Sequence, residues 1–156
     1  VSRGARFRQR LESADRVHLD ARVLAFHLLA EPPYLELTRL LFMAVRDGQT
    51  EAQTSTVSLY QLLAEPYRSG RSEAGNRVYE ALTAMRFLEL RPVTPEVARR
   101  AAQVRARLAR RGASCLQIAT AIEGSADLFI TQGSGLRRVA ETGVLDLEDY
   151  LEPGAE

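Results

Sequence analysis

The 156-residue sequence contains no lysine and no tryptophan, and Cys115 is its single cysteine. With lysine absent, all 21 basic residues are arginine, a usage that fits a GC-rich genome better than a function. A lone cysteine cannot close an internal disulfide, which agrees with a reducing compartment, and with no base in sequence to activate it Cys115 reads as a buried, inert thiol. Charge of one sign is also lacking: 20 acids leave a formal net charge of +1, so there is no global pull on nucleic acid, and any such binding needs local clustering of arginines. No apolar run approaches the roughly 18 residues of a membrane-spanning helix. The basic start VSRGARFRQR passes into LESADR rather than an apolar segment, so no secretory signal is expected and the cytoplasm is the expected location. His18 and His27 stand in apolar surroundings without cysteines or acids at ligand spacing, which makes them core or surface histidines rather than metal ligands. There is no internal repeat, low-complexity segment or interdomain linker, so residues 1–156 read as one domain, with 1–15 a basic arm and 151–156 a frayed tail.

What is present is a regular alternation. Arg16-Val17-His18-Leu19-Asp20 is a short apolar run ending in an acid, followed by the helix-like ARVLAFHLLA, which stops at Pro32-Pro33. A helix from Tyr34 to Arg46 carries Leu37, Leu40 and Leu41, an apolar stripe that suits either the core or a surface for a second subunit or a partner helix. Thr54 to Val57 is predicted as a strand handing over at Ser58 to a helix that Pro66 should end. Helix is expected over 71–85, strand over 87–90, and helix again from Thr94-Pro95, an N-cap followed by proline at the first helical position. Val97, Ala101, Val104 and Leu108 form its inner stripe, leaving a basic outer face among residues 99 to 111. A further helix from Ala113 to Glu123, the strand Ala126 to Thr131 and a last edge strand Val144 to Asp146 complete the chain. Strands alternating with helices predict an α/β sandwich around a mostly parallel sheet, with ligands gathering outside the carboxyl ends of the strands.

The strings VHLD, TSTVSLYQLLAEP, SCLQIATAIEGSADLFITQ and GLRRV, in this order and at this spacing over about Val17 to Leu147, resemble the PIN-domain family, above all its small bacterial VapC-like toxin ribonucleases. The resemblance implies a three-layer α/β/α fold with a five-stranded sheet, frequent homodimers, an antitoxin partner, and cleavage of single-stranded RNA with Mg²⁺ or Mn²⁺. Such cations need hard, anionic oxygen ligands to activate water and steady the phosphate. The family supplies them as three or four acids. Carried over position by position, the first is Asp20, the second falls on Gln61, the third on Ser114 and the fourth on Gly133, with Gln132 beside it.

Three of the four positions therefore lack a carboxylate, and Asp20 alone remains as a candidate metal ligand, or as an acid kept to cap the helix after it. Asp127 stands about 20 Å from Gly133 along its strand, Glu123 about 13 Å from Ser114 along its helix, and Glu65, one turn after Gln61, is the only acid in sequence placed to substitute. The expectation is a non-catalytic PIN-like protein with no cofactor, acting by binding single-stranded RNA or an antitoxin-like protein and forming a homodimer. The alternative is an active Mg²⁺- or Mn²⁺-dependent endoribonuclease. Arg99, Arg100, Arg107, Arg110 and Arg111 are the candidate phosphate contacts, since guanidinium bonds phosphate bidentately. Gly133-Ser134-Gly135 lacks the Lys-Ser/Thr continuation of a phosphate-binding loop.

Overall fold

The computed structural model describes residues 1–140 and 142–154. Its elements are α1 (Arg3–Glu12), β1 (Arg16–Leu19), α2 (Ala21–Leu28), α3 (Leu35–Arg46), β2 (Glu51–Ser55), α4 (Val57–Arg68), α5 (Ser72–Thr83), β3 (Leu88–Arg91), α6 (Pro95–Arg107), α7 (Gly112–Glu123), β4 (Leu128–Thr131), β5 (Arg138–Val139) and β6 (Thr142–Asp146), closed by a 3₁₀ turn over Leu147–Tyr150. The strands form one sheet in the order β3-β2-β1-β4-β6-β5, parallel throughout except for β5 against β6.

Alternation along the short strands sends side chains to two different layers. Val17, Leu19, Ala52, Leu128 and Ile130 face a core built with α1, α2 and α3. Phe129 faces the opposite layer, where Val97, Ala101 and Val104 of α6 meet Cys115, Ile118 and Ala119 of α7. The expected inner stripe of α6 is thus buried, and Thr94 caps that helix by accepting from Val97 N at 3.2 Å. Leu37 and Leu41 of α3 belong to the core rather than to a partner surface.

Several expectations change. The sheet has six strands rather than five. Gly133 and Gly135 both adopt left-handed backbone (φ 63° and 72°), and the chain so turned lays the two-residue β5 antiparallel along β6. A strand of that length leaves no periodic trace, and its presence makes β6 interior instead of an edge. Strand β2 starts earlier than expected, and Ser58 lies buried inside α4 instead of capping it. Pro66 does not end α4, which runs on to Arg68.

The basic arm is a helix and part of the core. Phe7 and Leu11, one turn apart on α1, are fully buried, while Arg6, Arg8 and Arg10 stay outside. Phe7 meets Tyr150 edge to face with centroids 5.3 Å apart, and the Arg3 guanidinium donates to the Leu151 carbonyl. The start of the expected frayed tail is therefore tied down, whereas residues 155 and 156 lie outside the described residues. Removing a fully buried ring leaves a cavity, so Phe7→Ala is expected to cost about 3 kcal/mol in urea unfolding, against less than about 0.5 kcal/mol for Arg8→Ala. Equal, small effects would return α1 to the status of a loose arm.

Candidate functional site

In a parallel sheet the carboxyl ends of adjacent strands share one edge, and here that edge carries a cleft of about 400 Å³. It is lined by Asp20 after β1, Gln61 and Leu62 of α4, Ser114 in the first turn of α7, and Thr131 to Ser134 at and beyond the end of β4. All four positions singled out in the sequence, Asp20, Gln61, Ser114 and Gly133, thus meet in one place. Arg22 and Arg110 line it as well.

The cleft rests on a chain of buried polar side chains that crosses the sheet. His18 is fully buried and stacked on Phe129, with centroids 5.4 Å apart. Its Nε2 donates to Gln117 Oε1 (2.8 Å), while its Nδ1 accepts from Gln53 Nε2 (3.0 Å). Gln53 Nε2 also donates to the Thr120 carbonyl at 3.1 Å. On the other side, Gln117 Nε2 donates to Ser58 Oγ (2.8 Å) and to Gln61 Oε1 (2.9 Å), and Thr54 links Ser58 to the Leu19 carbonyl. Burial pushes the His18 imidazole down to about 4, so it is neutral at physiological pH, as the one-donor, one-acceptor pattern demands. Gln61 is therefore held by its oxygen from behind.

Asp20 is both the cap of α2 and the floor of the cleft. Its Oδ1 accepts from Ala21 N (2.8 Å) and its Oδ2 from Thr131 Oγ1 (3.1 Å). Burial raises its carboxyl above the ordinary range, a shift that these hydrogen bonds and the nearby Arg22 only partly offset.

A PIN domain model matches residues 17–142. The chain belongs to the PIN domain family. Solved structures that share its fold include VapBC2 from Rickettsia felis bound to a fragment of promoter DNA, with a TM-score of 0.67 and 13% identity over 84% of this chain and 98% of that one. DNA-bound VapBC from Salmonella typhimurium (TM-score 0.60, 18% identity, 85% and 98% coverage) and FitAcB from Neisseria gonorrhoeae (TM-score 0.59, 17% identity, 85% and 98% coverage) are built alike. No curated protein matches the sequence. Helix α1 precedes the matched segment.

PIN domains are typically metal-dependent, and the donors in this cleft do not fit a divalent cation. Among the described residues no three His, Cys, Asp or Glu side chains converge on one point. Asp20 is a lone carboxylate that already accepts a hydrogen bond on each oxygen, Gln61 turns its oxygen to Gln117, Ser114 offers a hydroxyl and Gly133 no side chain. Glu65 is no substitute: it is exposed, pairs with Arg68 at 2.6 Å and stands outside the cleft. Asp127 caps the opposite end of the sheet, accepting from the amides of Asp15 and Arg16, and Glu123 pairs with Arg100 at 2.9 Å.

Of the five arginines marked in the sequence, the structure brings only Arg110 to the cleft. Helix α6 ends at Arg107, so the expected continuous basic face stops there. Arg100 and Arg107 line a separate shallow groove with Arg138, while Arg99 and Arg111 point to solvent. Three neighbours escaped the sequence. Arg22 donates to Gln132 Oε1 at 2.8 Å, and Gln132 in turn donates to Glu148 and to Tyr34. Asp146 lies opposite Thr131 in the β4–β6 register and accepts from Gly133 N (2.9 Å) and Glu148 N (3.0 Å). The sole sequence signal for it was an acid closing a strand in VLD, and its meaning depends on a pairing that the sequence does not display.

The neutral His18 makes a pH prediction. Its folded value lies below its unfolded one, so the unfolded chain binds more protons in between, and its contribution is complete above about pH 6.5 and lost as the pH falls towards 4. Asp20, raised in the fold, works in the opposite sense, favouring the fold at lower pH. Comparing His18→Asn with the parent isolates the first effect. The parent should lose about 2 kcal/mol more than the variant between pH 7 and pH 5 in urea unfolding, and parallel pH profiles would show that His18 is not held neutral.

Proposed function

We propose that this PIN-domain protein does not cleave RNA by metal chemistry and works by binding. The observation that carries the proposal is the content of the cleft: one partly buried carboxylate, its charge disfavoured by desolvation, beside two guanidinium groups. Mg²⁺ and Mn²⁺ are held by clustered anionic oxygen, and positive side chains at the same spot oppose them. Its partners in this reading are an antitoxin-like protein and single-stranded RNA, and the chain itself as a homodimer. The antitoxin class is supported by the solved neighbours, which are toxin–antitoxin complexes. The cytoplasm is the proposed location, in keeping with the buried free thiol of Cys115 and with the lack, among the described residues, of a helix long and apolar enough to cross a membrane.

A surface for a protein partner exists away from the cleft, at the amino-terminal end of β3. Met43 and Phe87 are exposed there beside Phe42 and Met85, and Arg39, Arg46 and Arg86 surround them. An acidic, amphipathic segment has the complementary chemistry.

The test is cleavage of end-labelled single-stranded RNA with Mg²⁺ or Mn²⁺ by the purified protein and by Asp20→Asn. Both are expected to leave the RNA as intact as a blank without protein. Metal-dependent cleavage that Asp20→Asn abolishes would establish the opposite, an active endoribonuclease rebuilt around that one acid.

A further inference from the structure

Of the charged side chains that line the cleft, two are cationic, Arg22 and Arg110, and one is anionic, Asp20. The remaining polar lining is Gln61, Ser114, Thr131, Gln132 and Ser134. Among the described residues Arg110 makes no ion pair, and its Nη2 stands 3.8 Å from the point where a Gly135 Cβ would be. Arg22 spends one Nη1 hydrogen bond on Gln132 and keeps its remaining donors. The acids nearby are already engaged: Asp20 by Ala21 and Thr131, Asp146 by two backbone amides, Glu148 by Tyr34 and Gln132. The hydrogen bonds from Tyr34 and then Gln132 hold the Glu148 carboxyl below its usual range, so it stays ionised with its Oε1 engaged by those two donors.

Two helix starts border this cleft. Helix α7 opens at Gly112 without a side-chain cap, since Arg111 occupies the capping position, and Ser114 of its first turn lines the cleft. The amino end of α2 is its neighbour at Ala21. The uncapped start of α7 brings a positive dipole end to the cavity, whereas that of α2 is met by its Asp20 cap. Tyr60, on the same helix as Gln61, is 72% exposed, and an exposed aromatic ring on an element that lines a cationic cleft is available for stacking a base of single-stranded nucleic acid.

We propose that this cleft is a metal-independent phosphate site, in which Arg110 and Arg22 hold a phosphate of single-stranded RNA. The proposal rests on the non-cleaving reading of the same cleft and assigns its ligand. It also moves the phosphate contact from the α6 face to the cleft, where Arg110 alone of the five candidate arginines contributes.

Binding of a fluorescent single-stranded oligoribonucleotide is measured by anisotropy in excess EDTA over a salt series. The parent should bind without metal. Arg110→Ala and Arg22→Ala should each weaken binding at least tenfold and flatten the plot of log Kd against log salt by about 0.7 for every phosphate no longer neutralised. Exposed Arg8→Ala on α1 should change neither. Inorganic phosphate should compete, and 5′-phosphorylated against 5′-hydroxyl oligonucleotides separates a terminal phosphate from the backbone, a preference for the first placing the strand end in the cleft. The inference is overturned if the parent does not bind in EDTA, if the cleft variants bind like the parent, or if Arg99→Ala and Arg107→Ala carry the loss instead. RNA cut when Mn²⁺ replaces EDTA would overturn the non-cleaving reading itself, which keeps the two failures apart.

Discussion

A neutral imidazole between two glutamines holds the site together. His18 of β1 accepts from Gln53 of β2 and donates to Gln117 of α7, and Gln117 passes the chain on to Ser58 and Gln61 of α4. Four elements are held in register by these buried hydrogen bonds, with Gln53 Oε1 alone of the network left without a partner among the described residues. Each bond is worth only about 1 kcal/mol net, but breaking one strands a buried partner at a cost of about 1–3 kcal/mol. Packing around the chain is correspondingly tight. A Cβ on Gly124 would run into the Gln53 amide, so α7 has to end on glycine for the glutamine to fit.

That framework explains how this PIN fold holds its cleft without a cluster of metal-ligating side chains among the described residues. The helix positions, the strand ends and the cleft depend on buried bonds behind the site and on the two apolar layers, not on a cation drawing carboxylates together. Asp20 remains because it has a structural task, capping α2 and receiving the Thr131 hydroxyl. Gln61 has one too, as the last member of the buried chain. Gly133, in left-handed backbone, turns its amide to Asp146 and starts the loop that leads to β5. Asp20, Gln61 and Gly133 are thus parts of the scaffold, and Arg22 and Arg110 bring guanidinium groups to the same cleft.

Much of this was legible in the sequence where a residue's pattern has one meaning. An apolar run ending in an acid before a helix placed Asp20, Thr94-Pro95 placed the start of α6, and the order of motifs placed Gln61, Ser114 and Gly133 on one edge. Other features depend on partners distant in the chain. Gln53 lies just before the strand expected from Thr54 and carries no signal of its own until His18 and Thr120 are brought beside it. Arg22, read as part of an ordinary helix, reaches the cleft only because β1 and β4 are neighbours. The arginines of α1 concealed Phe7 and Leu11, whose spacing carried the real information.

Titration of Mn²⁺ into the purified protein, followed by water proton relaxation, addresses the charge of the cleft directly because the signal reports metal occupancy without requiring any turnover. The parent is expected to show no site tighter than about 1 mM, while Gln61→Glu combined with Ser114→Asp restores carboxylates to the same scaffold and should tighten binding at least tenfold. A stoichiometric micromolar site in the parent that Asp20→Asn removes would contradict the account, because the cleft would then still be built for a cation.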